Sequence, residues 1–306
     1  MTALRGCGTA LVTPFTEAGS LDLPALRALV NWQIAEGMDF LVPCGSTGEA
    51  QTLSEAERDI VVTTVLQTAN GRVPVMAGAT HNDTAAAVRE AERISALGTQ
   101  WILSATPYYN KPTQEGLYRH FCAVADASSC PVCLYNVPGR TAVNLKPETV
   151  FRLATHGNIV GIKESSGDLQ QVMHILLGRQ QGFAVMSGED WMALPIIAAG
   201  GDGLISVAGN EIPRDMRALV QVALHGSFDA ARDIHYRVLP LIEANFIETN
   251  PGPVKAALHA MGKIQNVLRL PLVPLTESRR APLLAALREA GVELPGPQIS
   301  VSVKTA

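Results

Sequence analysis

The sequence predicts a (β/α)8 barrel followed by a C-terminal helical domain. Short apolar runs alternate with segments of helical periodicity, and no strand pattern returns after residue 226. Regular alternation is typical of a parallel sheet, and about eight units in roughly 225 residues favour a closed barrel over an open sheet. No G-x-G-x-x-G follows the first strand, which disfavours a dinucleotide-binding fold. We expect a catalytic barrel over residues 1–225 and a helical domain over 226–306.

Each predicted strand is a short apolar run that ends in turn-forming or polar residues. The strands are predicted at residues 8–12, 40–44, 73–77, 101–104, 132–135, 159–163, 183–186 and 203–207. The helices between them are predicted at residues 22–36, 54–69, 83–97, 113–127, 147–154, 169–177 and 191–199. Three further helices are predicted in the C-terminal domain, at residues 230–244, 254–261 and 278–290.

Composition excludes several classes of protein. Hydrophobic residues make up 47% of the chain and charged residues 17%, so a large core is possible and disorder is not expected. A formal net charge of -4 gives no basic surface for nucleic acid or anionic lipid. The N-terminus lacks the profile of a signal peptide, and no apolar stretch approaches the roughly 18 residues of a membrane span. We expect a cytoplasmic protein without nucleic-acid or membrane partners.

The cysteines and histidines predict neither a disulfide framework nor a metal site. The five cysteines are an odd number, which is typical of reduced thiols. Cys130 and Cys133 have C-x-x-C spacing but no second pair to complete a zinc site, so we interpret them as structural. The histidines are scattered without an H-x-H pair. A metal-dependent hydrolase is therefore a weak alternative, and no metal or cofactor is expected.

Lys163 is the residue around which the functional hypothesis is built. It ends a strand of Ile, Val and Gly that we expect to be buried. One interpretation is structural: the side chain reaches solvent or pairs with Glu164. The other is chemical: a desolvated amine condenses with a carbonyl substrate to form a Schiff base.

Other strand ends decide between these interpretations, because catalytic groups of such barrels gather at the C-terminal ends of the strands. Gly45-Ser-Thr-Gly-Glu49 offers backbone N–H groups and hydroxyls to a carboxylate. Tyr135 ends the fifth strand, and Arg140 follows it as a fork for a second carboxylate. Each signal is weak by itself. Together with the lysine they indicate an imine-forming enzyme that acts on carboxylated substrates.

Four segments make a more specific assignment possible. They are Gly45-Ser-Thr-Gly-Glu49, Tyr135-Asn-Val-Pro-Gly-Arg140-Thr, Gly161-Ile-Lys-Glu-Ser-Ser-Gly-Asp168 and Asn250-Pro-Gly-Pro-Val-Lys-Ala-Ala257. In order and spacing the chain resembles the dihydrodipicolinate synthase / N-acetylneuraminate lyase family over nearly its whole length. The resemblance implies a homotetrameric class I pyruvate aldolase with a (β/α)8 barrel and a C-terminal helical domain.

The resemblance also implies roles for individual residues. Lys163 would form the imine with pyruvate, and Tyr135 would shuttle protons. Thr47 would link Tyr135 to Tyr109, which would reach in from a neighbouring subunit. The remaining residues would bind substrate, with Ser46 and Thr47 on the pyruvate carboxylate, Arg140 on the second substrate, and Gly188 and the Ile205 carbonyl lining the pocket.

An arginine at position 140 resembles the pattern of the synthase branch of this family. In that branch the arginine binds the carboxylate of L-aspartate 4-semialdehyde, in lysine and diaminopimelate biosynthesis. The alternatives are N-acetylneuraminate lyase, another sugar-acid or 4-hydroxy-2-oxoglutarate aldolase, and a non-enzymatic ligand sensor on the same barrel. Ser46 replaces a commoner threonine, and the bulky Trp191 is expected to narrow or reshape the second-substrate pocket.

Regulation can be predicted from the same resemblance. At the positions that bind inhibitory lysine in some family members this chain has Glu55, Arg58 and Ala86, although it keeps Asn82 and Tyr108. We therefore expect weak or absent inhibition by free lysine.

Overall fold

Eight parallel strands form the centre of the computed structural model, which describes residues 3–295. The hydrogen-bonded order is β2-β1-β8-β7-β6-β5-β4-β3. The two ends of this order meet at a parallel bridge between Leu41 and Val75, where the Leu41 N–H donates to the Pro74 carbonyl at 3.1 Å. The sheet thus closes on itself, and the predicted (β/α)8 barrel is confirmed.

The strands are β1 Gly6–Ala10, β2 Phe40–Val42, β3 Met76–Gly78, β4 Trp101–Ala105, β5 Val132–Asn136, β6 Ile159–Glu164, β7 Ala184–Ser187 and β8 Gly203–Ser206. The barrel helices are α1 Leu23–Ala35, α2 Glu55–Ala69, α3 Thr84–Ala96, α4 Gln114–Ala127, α5 Pro138–Thr141, α6 Pro147–Ala154, α7 Leu169–Gly178, α8 Ala193–Ala198 and α9 Pro213–Leu224. The C-terminal helices are α10 Phe228–Ala244, α11 Gly252–Ala260 and α12 Glu277–Glu289.

Two helices escaped prediction from the sequence, and both begin with proline. Pro138 opens α5 and Pro213 opens α9, each at the first helical turn. Proline is favoured there because the backbone N–H that it lacks has no partner within the helix. The same residue inside a segment signals a break, so both helices resembled loops in the sequence pattern.

Side-chain caps start several helices directly after the rim loops. A capping box of Ser54 and Glu57 is present at the start of α2, with both reciprocal hydrogen bonds formed. Asp22, Asp83 and Asp168 accept hydrogen bonds from the first turns of α1, α3 and α7. These caps satisfy N–H groups that the helix itself leaves free, so they fix where each loop ends.

Buried apolar side chains occupy two layers. One lies inside the barrel and includes Val42, Leu103, Met186 and Ile205. The other lies between the sheet and the surrounding helices. Both faces of each strand are covered, so the strands are continuous apolar runs in the sequence. They could therefore be predicted although apolar and polar residues do not alternate.

The C-terminal helices share a core with the barrel. Leu241 of α10 and Leu287 of α12 belong to one buried cluster with Met216 and Leu219 of α9. Val254 and Leu258 of α11 pack with Val12 and Val207 at the barrel rim. The division at residue 225 stays a prediction, but α11 is positioned to bring its N-terminus to the ends of the strands.

Among the described residues no helix is long and apolar enough to cross a membrane. Within the same range, no group of three or more His, Cys, Asp and Glu side chains could hold a metal ion. All five cysteines are free. Burial raises the pKa of the Cys133 thiol to about 12, which keeps it protonated and unreactive.

Candidate active site

A small cavity of about 40 Å³ lies at the C-terminal rim of the barrel and shares lining residues, among them Tyr135 and Arg140, with a larger one of about 340 Å³. The smaller cavity, here called the inner cavity, is lined by residues of β1, β2, β4, β5 and β6, by residues that follow β2, β5, β7 and β8, and by the segment before α11. It contains six of the predicted site residues: Ser46, Thr47, Tyr135, Arg140, Lys163 and Gly188.

Lys163 and Tyr135 stand side by side on neighbouring strands. They are directly paired in the register between β5 and β6, and the Lys163 Nζ lies 4.3 Å from the centre of the Tyr135 ring. Lys163 is only 5% exposed. Among residues 3–295 no carboxylate forms an ion pair with its ammonium group. The amine is therefore enclosed, adjacent to a phenol and free to react.

Glu164 does not pair with Lys163, so the ion pair that the structural interpretation offered is wrong. Successive side chains of a strand point to opposite faces, which directs Glu164 away from the cavity. Its carboxylate accepts hydrogen bonds from the Asn136 side chain at 3.0 Å and the Ser166 N–H at 2.6 Å. Burial raises the pKa of Glu164, and these bonds oppose that shift.

Gly188 leaves room for the lysine. A Cβ atom built at this position would lie 2.8 Å from Cε of Lys163 and 1.9 Å from Oγ of Ser165. Any side chain here would press on the lysine, so the absence of a side chain keeps space for an adduct on Nζ.

The loop after β2 lines the inner cavity and contains backbone N–H groups without a hydrogen-bond partner among the described residues. The Gly48 N–H donates to the Gly45 carbonyl and the Glu49 N–H donates to the Ser46 carbonyl, each at 3.1 Å. These two hydrogen bonds curl the loop. Cys44 and Glu49 both have positive φ, at 57° and 54°. The amides of Ser46 and Thr47 make no hydrogen bond to other described residues. Such a curl is a suitable binding site for a carboxylate.

Asn250 joins two of the predicted substrate-binding residues. Its Nδ2 donates to the Thr47 Oγ1 at 3.0 Å, and its backbone carbonyl accepts a hydrogen bond from Arg140 at 3.3 Å. The sequence motif contained Asn250, but its role was not predicted. The signal was its position before α11, which only the packing of the C-terminal domain brings to the rim.

Lys255 and Glu49 form a second buried pair that sequence reasoning missed. Both side chains are fully buried, and the Lys255 Nζ donates to the Glu49 carboxylate and to the Val267 carbonyl at 2.8 Å. The other Glu49 oxygen accepts from the Arg269 N–H at 3.1 Å. The pair attaches the loop that carries Ser46 and Thr47 to the C-terminal domain.

Glu189 and Asp190, which follow β7, face different surroundings. Asp190 is buried and accepts hydrogen bonds from the Val207 and Ala208 N–H groups, each at 3.0 Å. Glu189 lines the inner cavity and also an outer groove of about 610 Å³. Burial raises the pKa of Glu189, and the charges of Lys163 and Arg140 oppose the shift.

Three predicted residues lie outside both cavities. Trp191 lines the outer groove together with Glu189, and its expected narrowing or reshaping of the second-substrate pocket stays a prediction. Tyr109 is 87% exposed with a φ of 74°, and it does not reach Thr47 within one chain. The Ile205 side chain packs inside the barrel, as expected of a residue whose proposed contribution is its backbone carbonyl.

Comparison with known proteins assigns this site to a family. The model of the dihydrodipicolinate synthetase family matches residues 3–290. The chain belongs to the dihydrodipicolinate synthetase family. The resemblance found in the sequence motifs is thereby confirmed.

Relatives within the dihydrodipicolinate synthetase family are similar over almost their whole length. The 4-hydroxy-tetrahydrodipicolinate synthase of Koribacter versatilis is 52% identical over 290 residues, 94% of this chain and 97% of the relative. That of Acidobacterium capsulatum is 52% identical over 299 residues, 96% of this chain and 99% of the relative. A dihydrodipicolinate synthase of Acinetobacter baumannii in complex with pyruvate is 42% identical, with a TM-score of 0.93 over 94% of this chain and 99% of that one. These relatives favour the synthase branch over the lyases.

Proposed function

We propose that this protein condenses pyruvate with L-aspartate 4-semialdehyde to 4-hydroxy-tetrahydrodipicolinate through a lysine imine. The observation that carries the proposal is the enclosed, unpaired Lys163 with its amine 4.3 Å from the ring of Tyr135. The relatives named above carry the same activity in their names.

In the proposed reaction the neutral Lys163 amine attacks the carbonyl carbon of pyruvate, and water leaves as the imine forms. A proton then moves from the pyruvate methyl group towards Tyr135, which gives an enamine. The enamine carbon attacks the aldehyde carbon, and the aldehyde oxygen takes up a proton to become a hydroxyl. Finally the amino group of the second substrate attacks the imine carbon, which closes the ring and releases Lys163.

The two carboxylates of the substrates are assigned to two different groups. The free N–H groups of Ser46 and Thr47 would hold the carboxylate of pyruvate, because they lie beside Lys163 in the inner cavity. Arg140 lines both cavities and would hold the carboxylate of the aldehyde as it enters. The mechanism requires no cofactor and no metal.

The test is consumption of L-aspartate 4-semialdehyde in the presence of pyruvate, coupled to the downstream reductase. Arg140→Ala should lower kcat/KM for the aldehyde by about 10- to 100-fold, since a charged hydrogen bond is lost. Borohydride trapping of pyruvate on Lys163 should stay unchanged in this variant. Arg119→Ala, a change at an exposed arginine of α4, is the control. Equal loss of condensation and trapping would contradict the assignment of Arg140.

A homotetramer, in which Tyr109 completes the site of a neighbouring subunit, is part of the proposal. Tyr109 extends into solvent. Its loop is held by a hydrogen bond of 2.9 Å from the Asn110 side chain to the Asn82 carbonyl. Tyr109→Phe and Lys163→Ala chains should each be inactive when produced alone. When co-produced in equal amounts they should regain roughly a quarter of wild-type activity, because half of the dimers are hybrid with one complete site of two. Failure to complement would contradict the contribution of Tyr109 to the site of a neighbouring subunit. Sedimentation velocity tests the tetramer directly.

Weak or absent inhibition by lysine stays a prediction. Arg58, one of the positions matched to the lysine site, forms an ion pair with Glu90 at 3.2 Å, and Ala86 offers no carboxylate to the amino group of lysine. Titration of the coupled assay with lysine would overturn this expectation if inhibition occurred below millimolar concentration. A cytoplasmic location is likewise still a prediction.

A further inference from the structure

A buried acid and a buried amide are hydrogen-bonded behind the end of β8. Glu211, between β8 and α9, is 2% exposed, and Asn245, directly after α10, is 0% exposed. The Asn245 Nδ2 donates to the Glu211 Oε2 at 2.6 Å. The two remaining oxygens, Oε1 of Glu211 and Oδ1 of Asn245, are buried and have no hydrogen-bond partner among the described residues. Buried acceptors without a donor are costly, so this pair of side chains lacks one donor.

A single proton on Glu211 supplies that donor. A protonated carboxyl has one O–H donor and a carbonyl acceptor, and a side-chain amide has N–H donors and a carbonyl acceptor. With the proton on Oε1, Glu211 donates to Oδ1 of Asn245 and accepts from its Nδ2, so one closed pair of hydrogen bonds satisfies both oxygens. An ionised Glu211 has no donor, and Oδ1 of Asn245 would remain without a partner.

The surrounding charges favour the proton on Glu211. Burial raises the pKa of Glu211 well above its ordinary 4.5, the hydrogen bond from Asn245 opposes the shift, and the negative charge of Asp190 adds to it. Two buried carboxyls near each other cannot both ionise without a large cost. Asp190 accepts hydrogen bonds from the Val207 and Ala208 N–H groups, which stabilise its charge. Asp190 is therefore the better anion, and Glu211 keeps the proton.

The elements around Glu211 offer it no compensating cation. The turn directly before it packs against β1, α9 and α11. Lys255 of α11 is paired with Glu49, and burial lowers the pKa of His235 of α10, which keeps that imidazole neutral. Within residues 3–295 no lysine, arginine or histidine forms an ion pair with Glu211.

We propose that Glu211 is a protonated positioning residue, joined to Asn245 by a closed pair of hydrogen bonds that we call the acid–amide clasp. The clasp connects two segments that line the inner cavity, because Val207 lies four residues before Glu211 and Phe246 directly follows Asn245. The Glu211 N–H also donates to the Ala208 carbonyl at 2.9 Å, which keeps the intervening turn compact. The clasp thus holds two walls of the cavity together without adding a charge.

Glu211→Gln tests the proton, because glutamine makes the same closed pair without one. Its Nε2 donates to Oδ1 of Asn245 and its Oε1 accepts from Nδ2, whatever the pH. Infrared difference spectroscopy at neutral pH should show the carbonyl band of a protonated carboxylic acid in the wild-type protein and not in Glu211→Gln. If the difference between the two proteins contained a carboxylate band instead, the clasp would be overturned.

The proton also makes stability depend on pH. Because the pKa of Glu211 is raised in the folded chain, its stabilising contribution is complete below 4.5 and is lost as the pH rises towards the folded value. Relative to Glu211→Gln, the unfolding equilibrium constant of the wild type should increase by up to about 10-fold per pH unit between about pH 5.5 and 8. Urea unfolding at a fixed protein concentration measures this ratio.

Glu243→Gln, a change at an exposed glutamate of α10, is the matched control. Its unfolding constant should follow that of the wild type over the same pH range. A ratio of wild type to Glu211→Gln that does not change with pH would overturn the clasp, because no proton would then be bound on folding.

The positioning role is tested by kinetics and rests on the proposed function. Asn245→Leu removes both hydrogen bonds, and kcat/KM for L-aspartate 4-semialdehyde should fall by about 10-fold, whereas Glu211→Gln should stay within about 2-fold of wild type. A folded Asn245→Leu protein with wild-type kcat/KM would reduce the clasp to a purely structural contact and overturn the role. If the wild type does not consume the semialdehyde, the proposed function fails, and the infrared and unfolding results still decide the clasp.

Discussion

Residues 3–295 include two buried lysines that resemble each other in their immediate packing and differ in the partners of their ammonium groups. Lys163 is 5% exposed and its Nζ lies 4.3 Å from the centre of the Tyr135 ring. Lys255 is 0% exposed and its Nζ lies 4.2 Å from the centre of the Phe15 ring. Burial over an aromatic ring therefore does not distinguish a reactive lysine from a structural one.

The difference lies in the partners of each ammonium group. Lys255 has the Glu49 carboxylate and the Val267 carbonyl, which compensate for its removal from water. Burial lowers the pKa of Lys255 to about 8, and the charge of Glu49 opposes that shift. Lys163 has an open cavity in place of such partners. A buried amine with satisfied hydrogen bonds holds the fold together, whereas one that faces a cavity is available to a substrate.

Replacement of Lys163 by methionine should have the largest effect on activity. We expect condensation to fall by on the order of 10³-fold or more, because the nucleophile is removed. The free energy of unfolding should change by less than about 1 kcal/mol, since no buried carboxylate loses its partner. Coupled assays and urea unfolding measure the two quantities. A large loss of stability would show that Lys163 is also structural.

Tyr135→Phe makes the ring under Lys163 like the ring under Lys255. Without the hydroxyl, kcat should fall by about 10²- to 10⁴-fold, the usual contribution of a proton-transferring group. Stability and binding of pyruvate should remain near wild type because the ring is kept. Steady-state kinetics with calorimetry tests this; an unchanged kcat would remove Tyr135 from the proton transfers.

Lys255→Met should have the opposite effect to Lys163→Met: a large loss of stability with the imine chemistry of Lys163 retained. Loss of the lysine leaves Glu49 buried without its cation, which is expected to cost about 3–5 kcal/mol of unfolding free energy. At urea concentrations at which the variant is still folded, borohydride should still trap pyruvate on Lys163. The double variant Lys255→Met, Glu49→Gln should recover part of the stability because no charge remains unpaired. Identical stability of the single and double variants would contradict the importance of the pair.

The smallest effect is predicted at the ion pair between Glu57 and Arg269. Hydrogen bonds from Arg269 lower the pKa of Glu57 to about 2 from its ordinary 4.5. Its stabilising contribution is therefore complete above pH 4.5 and is lost as the pH falls through 2.

Glu57→Gln, which can still serve in the capping box, should cost about 1 kcal/mol or less because the pair is partly exposed. In urea unfolding the difference from wild type should be constant above pH 5 and shrink below pH 4.5. Glu55→Gln, in the same helical turn, is the control. A difference that does not vary with pH would exclude the ion pair as its source.

Much of the site was predictable because parallel strands bring their C-terminal ends to one rim. Lys163, Tyr135 and the Ser46–Thr47 turn each follow or end a strand, so their meeting follows from the order of elements alone. The motifs then indicated the family, and the comparisons bear that out. Local signals such as the Ser54 capping box were equally readable because they depend on residues three positions apart.

Contacts between distant parts of the chain could not be predicted in this way. Asn250 bonds to Thr47 across 203 residues, and Lys255 bonds to Glu49 across 206. No pattern within either segment specifies its partner, since each contact exists only after α11 has packed on the rim.

The sequence by itself determined the barrel, the order of its strands and the chemical groups at their ends, because periodicity and strand direction are local properties. The tertiary structure decided which lysine has a counter-ion, which face receives Glu164, and that Asn250 contacts both Thr47 and Arg140. Those properties depend on burial and on the direction of side chains, which are set when the C-terminal helices and the barrel share a core.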